Sequence, residues 1–212
     1  DTVFSSIDHR GRYAYANQPY IAQWNIARLA ESLLPLIDGK REEVIATVED
    51  LLNSFEQVYK SKWLTMMGSK LGLTEVSIKD EKLITDLLDW MHKNSADFTN
   101  TFLNLCKEEI PNEALYASES FQSWHVRWQN RLRKEEKGLE TSFALMRLVN
   151  PAVIPRNHKV EEALQAAEEG NFKPFHDLLN AVEKPYLDGD HLLPYQAPPE
   201  PGEKVLQTFC GT

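Results

Sequence analysis

The stretch Ser118–Leu132, SESFQSWHVRWQNRL, places Phe121, Trp124, Trp128 and Leu132 three or four positions apart. That is the period of an amphipathic helix, in which such positions share one face. The four large apolar side chains predict a buried stripe, and the helix is expected to begin near Ser118. The polar residues between them would face water.

The same period recurs on both sides. Toward the N-terminus, Asn17 and Pro19 signal a helix start. Ile21, Trp24, Ile26, Leu29, Leu33 and Leu34 follow, and Pro35 and Gly39 stop the run. A second helix is predicted from about Glu42 through Val44, Val48, Leu51, Leu52, Phe55, Val58 and Tyr59 to Trp63, with Gly68 and Gly72 as breakers. Ser77 and Asp80 have the spacing of a capping pair before Ile84, Leu87, Leu88 and Met91. Ser95 is expected to cap a helix carrying Phe98, Phe102, Leu103 and Cys106, closed by Pro111.

Beyond the quoted stretch, Gly138 is expected to kink the chain ahead of Phe143, Leu145, Met146 and Leu148. Asn150–Arg156 holds two prolines and must be extended or turn-like. Asn157 can cap a helix through Ala167, and a short one is predicted around Phe175–Val182. From Pro185 onward Pro194, Pro198, Pro199 and Pro201 read as loop. No alternating strand pattern and no fixed-period repeat occurs. The expected fold class is all-α, an irregular helical domain. The expected division is a loop over 1–18, a helical domain over 19–184 and a Pro-rich tail over 185–212 packed on the surface.

Composition narrows the function classes. The 212 residues are 42% hydrophobic and 26% charged, a globular balance long enough to bury a core. The net charge of −9 disfavours nucleic acid, whose binders carry a basic footprint. Two cysteines are too few for a disulfide scaffold, so a reducing, cytoplasmic location is expected. No apolar run reaches the roughly 20 residues of a membrane span. The opening residues, DTVFSSID, carry no start signal and read as the middle of a longer product.

Few constellations carry chemistry. Neither G-x-x-x-x-G-K-[ST] nor G-x-G-x-x-G is present, so a glycine-rich phosphate cradle is absent from the sequence. No two histidines stand four apart, and no metal-ligand cluster is spelled out. Arg127, Arg131, Arg133, Lys134 and Lys137 interleave with Trp124 and Trp128, as in a single-strand nucleic-acid platform. The tryptophans share the core face with Leu132, however, and Glu135 and Glu136 can neutralise the flanking cations. The second reading is preferred.

Three segments concentrate rare residues: GRYAYANQP at Gly11–Pro19, NPAVIPRNH at Asn150–His158, and TFCGT at Thr208–Thr212. With WNIARLA at Trp24–Ala30 and WHVRWQNRL at Trp124–Leu132, they form a collinear set. Together they resemble the selenoprotein O family of protein adenylyltransferases over nearly the whole chain.

The resemblance implies a kinase-like parent protein that binds ATP with magnesium or manganese and transfers AMP to protein hydroxyls. It also implies that the phosphate- and metal-binding residues precede the Gly11–Pro19 segment, so no catalytic residue and no metal ligand is carried over to this chain. The chain would hold the end of the activation segment and the helical remainder of the C-lobe, inactive alone. Its partners would be the N-terminal catalytic half and protein substrates, with dimerisation of the fragment also expected. Arg12, Tyr13, Asn17 and Gln18 are the expected activation-segment and substrate-surface residues. Cys210 matches the family's terminal Cys or selenocysteine. In some members that residue pairs with an activation-segment Cys, where this chain has Phe4-Ser5-Ser6. Cys210 is therefore read as a free redox-sensitive thiol or as paired elsewhere, and Cys106 as buried and inert. A helical interaction module and an inactive pseudoenzyme fragment are the alternatives.

Overall fold

A computed structural model describes residues 2–107, 109–111, 113–187 and 189–209. Among these residues the chain is helical, with no strand. The α-helices are α1 (Gln18–Leu33), α2 (Arg41–Lys70), α3 (Glu81–Lys93), α4 (Phe98–Leu105), α5 (Glu119–Leu132), α6 (Gly138–Val149), α7 (Asn157–Glu168), α8 (Lys173–Val182) and α9 (Leu193–Gln196). The all-α expectation holds. The described residues fall into two compact units, one of residues 2–63 with 206–209 and one of residues 64–205, so the division lies within α2.

The second unit is organised by α5. Phe121, Trp124, Trp128 and Leu132 are all buried, as their spacing predicts. Trp124 and Trp128 stack with ring centroids 5.8 Å apart and planes within 8°. Their indole N–H groups do not stay empty. Trp124 Nε1 donates to the Leu83 carbonyl at 2.8 Å, and Trp128 Nε1 to the Leu71 carbonyl at 2.9 Å. Each tryptophan thus fills the core and ties α5 to another segment, the usual requirement for burying its polar edge. Trp90 of α3 meets Phe121 at 4.7 Å. A smaller cluster joins Val153, Ala181 and Leu192, with Val182 and Tyr195 packed on it.

Several expectations needed correction. Gly68 does not break a helix, because α2 runs through it to Lys70. A Cβ on Gly68 would come within 2.3 Å of Val76 Cγ2, so glycine is there to let the following loop approach. Ser95 does not cap α4. It adopts φ +51° and terminates α3: its N–H reaches the His92 carbonyl, and the Ala96 N–H reaches the Met91 carbonyl at 2.9 Å. These are the two hydrogen bonds of a Schellman ending. The α4 cap is Asp97, whose carboxylate accepts from the Asn100 N–H at 2.8 Å. Within the predicted loop after Pro185, α9 forms with Pro194 in its first turn, where a missing N–H costs nothing. The Ser77–Asp80 pair does cap as predicted, with the Ser77 N–H donating to the Asp80 carboxylate at 2.9 Å.

Candidate functional site

The first unit contains the Gly11–Pro19 segment, and its geometry starts from Asp8. The Asp8 carboxylate accepts from the backbone N–H of Arg12 and of Tyr13, each at 2.8 Å. This local bond satisfies two donors that a tight loop would otherwise leave bare. Gly11 supplies the φ of +63° that the turn needs. The Asn17 side-chain amide then donates to the Gly11 carbonyl at 2.7 Å, closing the loop on the start of α1.

Arg12 leaves this loop to stack on Trp24 of α1, with its guanidinium carbon 4.8 Å from the ring centroid. Arg28 approaches the same ring at 5.5 Å and pairs with Glu31 at 2.7 Å. Tyr13, whose ring centroid lies 5.7 Å from the Arg12 guanidinium carbon, is exposed, as is Tyr15. The result is an exposed surface of one indole, one phenol and two guanidinium groups. Such groups suit contact with carboxylate or aromatic side chains of another protein.

The C-terminal segment is tied to the same loop. The Ser6 N–H donates to the Thr208 carbonyl at 2.6 Å, and the Thr208 N–H donates to Ser6 Oγ at 2.9 Å. Thr208 Oγ1 donates to the Phe4 carbonyl at 2.9 Å. Residues some two hundred positions apart are thus joined at Phe4 and Ser6. Cys210 itself lies outside the described residues.

Of the four expected surface residues, Arg12, Tyr13 and Asn17 share this loop, Asn17 as a lock and the other two as exposed groups. Gln18 opens α1 and is exposed. Asp8, Trp24 and Thr208 are the residues that sequence reasoning missed as a set. An Asp three positions before a Gly-Arg pair was the available signal for the loop. Nothing in the local sequence linked Arg12 to Trp24 or Thr208 to Phe4.

The Asn150–His158 segment proves to be a structural joint. The Asn150 amide donates to the Lys70 carbonyl at 2.9 Å, and its oxygen accepts from Lys70 Nζ at 3.1 Å. Burial lowers the Lys70 pKa, and the nearby Cys106 opposes that shift. Cys106 is buried, as its place on the apolar stripe predicts. Arg156 is buried and grips Asp97 in a two-pronged pair at 2.8 and 3.0 Å, with a further bond to Asn100 Oδ1 at 3.2 Å. Burial alone would raise the Asp97 pKa. The Arg156 hydrogen bonds and the Asn100 N–H outweigh it and hold the carboxyl below its ordinary value.

The two arginines of the basic stretch that lie on α5 are likewise committed within the fold, Arg127 bonding Asp86 at 2.8 Å. Arg131 bonds Asp80 at 2.7 Å and Glu135 at 2.5 Å, and Glu135 also accepts from the Thr74 N–H at 2.8 Å. A cleft of about 350 Å³ opens beside this network, lined by Thr74, Ser77, Arg131, Lys134 and Lys137 among others. Among the described residues no group of three or more His, Cys, Asp or Glu side chains is placed to hold a metal ion. No helix among them is long and apolar enough to cross a membrane.

Comparison with known proteins agrees with the motifs. The family model described as Protein adenylyltransferase SelO matches residues 2–183. A relative from Alcanivorax borkumensis, described as Protein nucleotidyltransferase YdiU, is 52% identical across the whole chain and is covered over 44% of its own length. Relatives of the same description from Nitrosococcus oceani and Clostridium botulinum are each 48% identical over the whole chain, with 43% of each covered. The chain therefore spans less than half the length of these relatives. With a family match over most of its residues, this chain belongs to the SelO family of protein adenylyltransferases.

Proposed function

We propose that this chain is the C-terminal helical part of a protein adenylyltransferase with a kinase-like fold, and that its own task is to hold and present the Gly11–Asn17 loop. The observation that carries this is the family match over residues 2–183, combined with relatives more than twice as long. In the whole protein, an acceptor hydroxyl of Ser, Thr or Tyr attacks the α-phosphorus of ATP. The α–β phosphoanhydride bond breaks, pyrophosphate leaves, and the hydroxyl proton passes to a base or water outside this chain. A divalent cation, magnesium or manganese, would neutralise the phosphates. The groups that grip ATP and the cation belong to the remainder of the protein, which is the chain's first partner. Protein substrates, met at the surface around Arg12, Tyr13, Asn17 and Gln18, are its second. A cytoplasmic setting fits both the composition and the availability of ATP.

The reading is tested by titrating the chain with ATP and magnesium in a calorimeter. The expected result is no binding tighter than about millimolar, an affinity of about 4 kcal/mol. Micromolar binding, or AMP transfer to a protein by this chain unaided, overturns the assignment of the nucleotide site to the remainder.

A further inference from the structure

The first unit has helices but almost no interior. Among its described residues the only buried apolar ones are Ala14 and Ile21. The second unit, by contrast, buries full-sized side chains throughout α3, α4 and α5. Helix α1 leaves Ile26, Leu29 and Leu33 exposed at i, i+3 and i+7, a single stripe. Helix α2 leaves Leu51 and Val58 exposed at i and i+7, with half-buried Phe55 between them. Leu29 is 58% and Leu51 67% exposed. Contiguous apolar surface of this kind marks an interaction site, whereas single exposed leucines do not.

We infer that the apolar stripes of α1 and of residues 41–63 of α2 are the docking surface for the portion of the family's polypeptide that lies outside its match to this chain. The inference rests on the proposed function above and adds the place of contact. The relatives match this chain from end to end, yet more than half of their length lies outside the match. That length is the occupant available to each of these relatives. Being joined to the same chain, it meets the stripes at an effective concentration in the millimolar range, whereas a second copy must arrive from dilute solution. Interfaces between parts that never separate are apolar, like a core cut in two. The stripes have that character.

The test uses a chimera in which this chain replaces the matched stretch of the Alcanivorax borkumensis relative, compared with this chain alone. Hydrogen exchange is expected to slow at least about tenfold over 18–33 and 41–63 in the chimera and to change little over 81–132. Leu29→Asp or Leu51→Asp, both at exposed positions, should reverse that slowing in the chimera and leave the circular dichroism of this chain alone unaltered. Unchanged exchange over α1 and 41–63 in the chimera overturns the inference. So does a dimer of this chain, seen by light scattering, that persists in the chimera and protects the same helices. AMP transfer is read separately. A chimera that protects the stripes but transfers no AMP keeps the docking surface and rejects the catalytic reading. One that transfers AMP without protecting them does the reverse.

Discussion

Arg156 and Asp97 show how a conspicuous motif can be spent on structure. The pair is two-pronged, and the Arg156 side chain is 7% exposed, so removing one partner strands the other in a poorly solvated place. Arg156→Ala is expected to lower stability by about 3 kcal/mol in denaturant titrations. The pH dependence follows from the depressed Asp97 pKa. As acid is added, the unfolded carboxyl takes up its proton first, near the ordinary value of about 3.9. The stabilisation is thus complete above that value and is lost as the pH falls through the lower folded value. Asp80 and Glu135, both held low against opposing burial by hydrogen bonds that include Arg131's, add losses of the same sign. Unfolding midpoints for the wild type should drop steeply below about pH 4, and Asp97→Asn should make that drop shallower. Gly68 offers a second case. Glycine-to-alanine in a helix interior ordinarily gains up to about 1 kcal/mol. Here the new methyl would overlap Val76, so Gly68→Ala should instead cost about 1–3 kcal/mol. Gly68→Ala combined with Val76→Ala should recover part of the loss.

The helices make plain what a linear pattern can and cannot carry. Helix α5 was legible because its period is strong and its stripe consists of large residues, whose burial dominates any local preference. The boundaries were less legible where two neighbouring residues could both cap. Ser95 and Asp97 are both good cap types. The choice fell to Asp97 because Ser95 was needed in a left-handed conformation to end α3, and because Arg156, far away in sequence, fixes the Asp97 carboxylate. Gly68 was misread for the same reason: its neighbour Val76 belongs to another segment. The candidate site was half legible. The loop residues stood out by composition, but Arg12 on Trp24 and Thr208 on Phe4 are contacts between segments, which no window of sequence encodes. The terminal segment allows a direct test. Thr208→Val keeps the shape and removes the hydroxyl that donates to the Phe4 carbonyl. Limited proteolysis of residues 2–17 should become several-fold faster, while the melting of α5, followed by tryptophan fluorescence, should be unchanged. Equal proteolysis in both proteins would show that the terminal segment does not hold the loop.

Burial divides the molecule more sharply than secondary structure does, and α2 makes the division measurable. This helix is 30 residues long, yet its buried residues are Met67 and Gly68, close to its end. Helical hydrogen bonds alone hold such a segment only marginally in water, because most helix stability in proteins comes from a packed face. Protection against exchange should therefore follow burial and not helix membership. In this chain alone, amides over 41–60 are expected to exchange orders of magnitude faster than those over 66–70. Amides of 121–132, beneath the stacked tryptophans, should be slowest of all. The change along α2 should fall near Trp63–Met67, inside a helix that is continuous in its hydrogen bonding. Adding low concentrations of denaturant should leave the fast segment unaffected, since it already opens locally, and should bring the slow segments together toward one global opening. Uniform protection from Arg41 to Lys70 would mean that the stripe on α2 is already covered in this chain, by a second copy or otherwise. The case for an uncovered apolar face would then fail at its physical root.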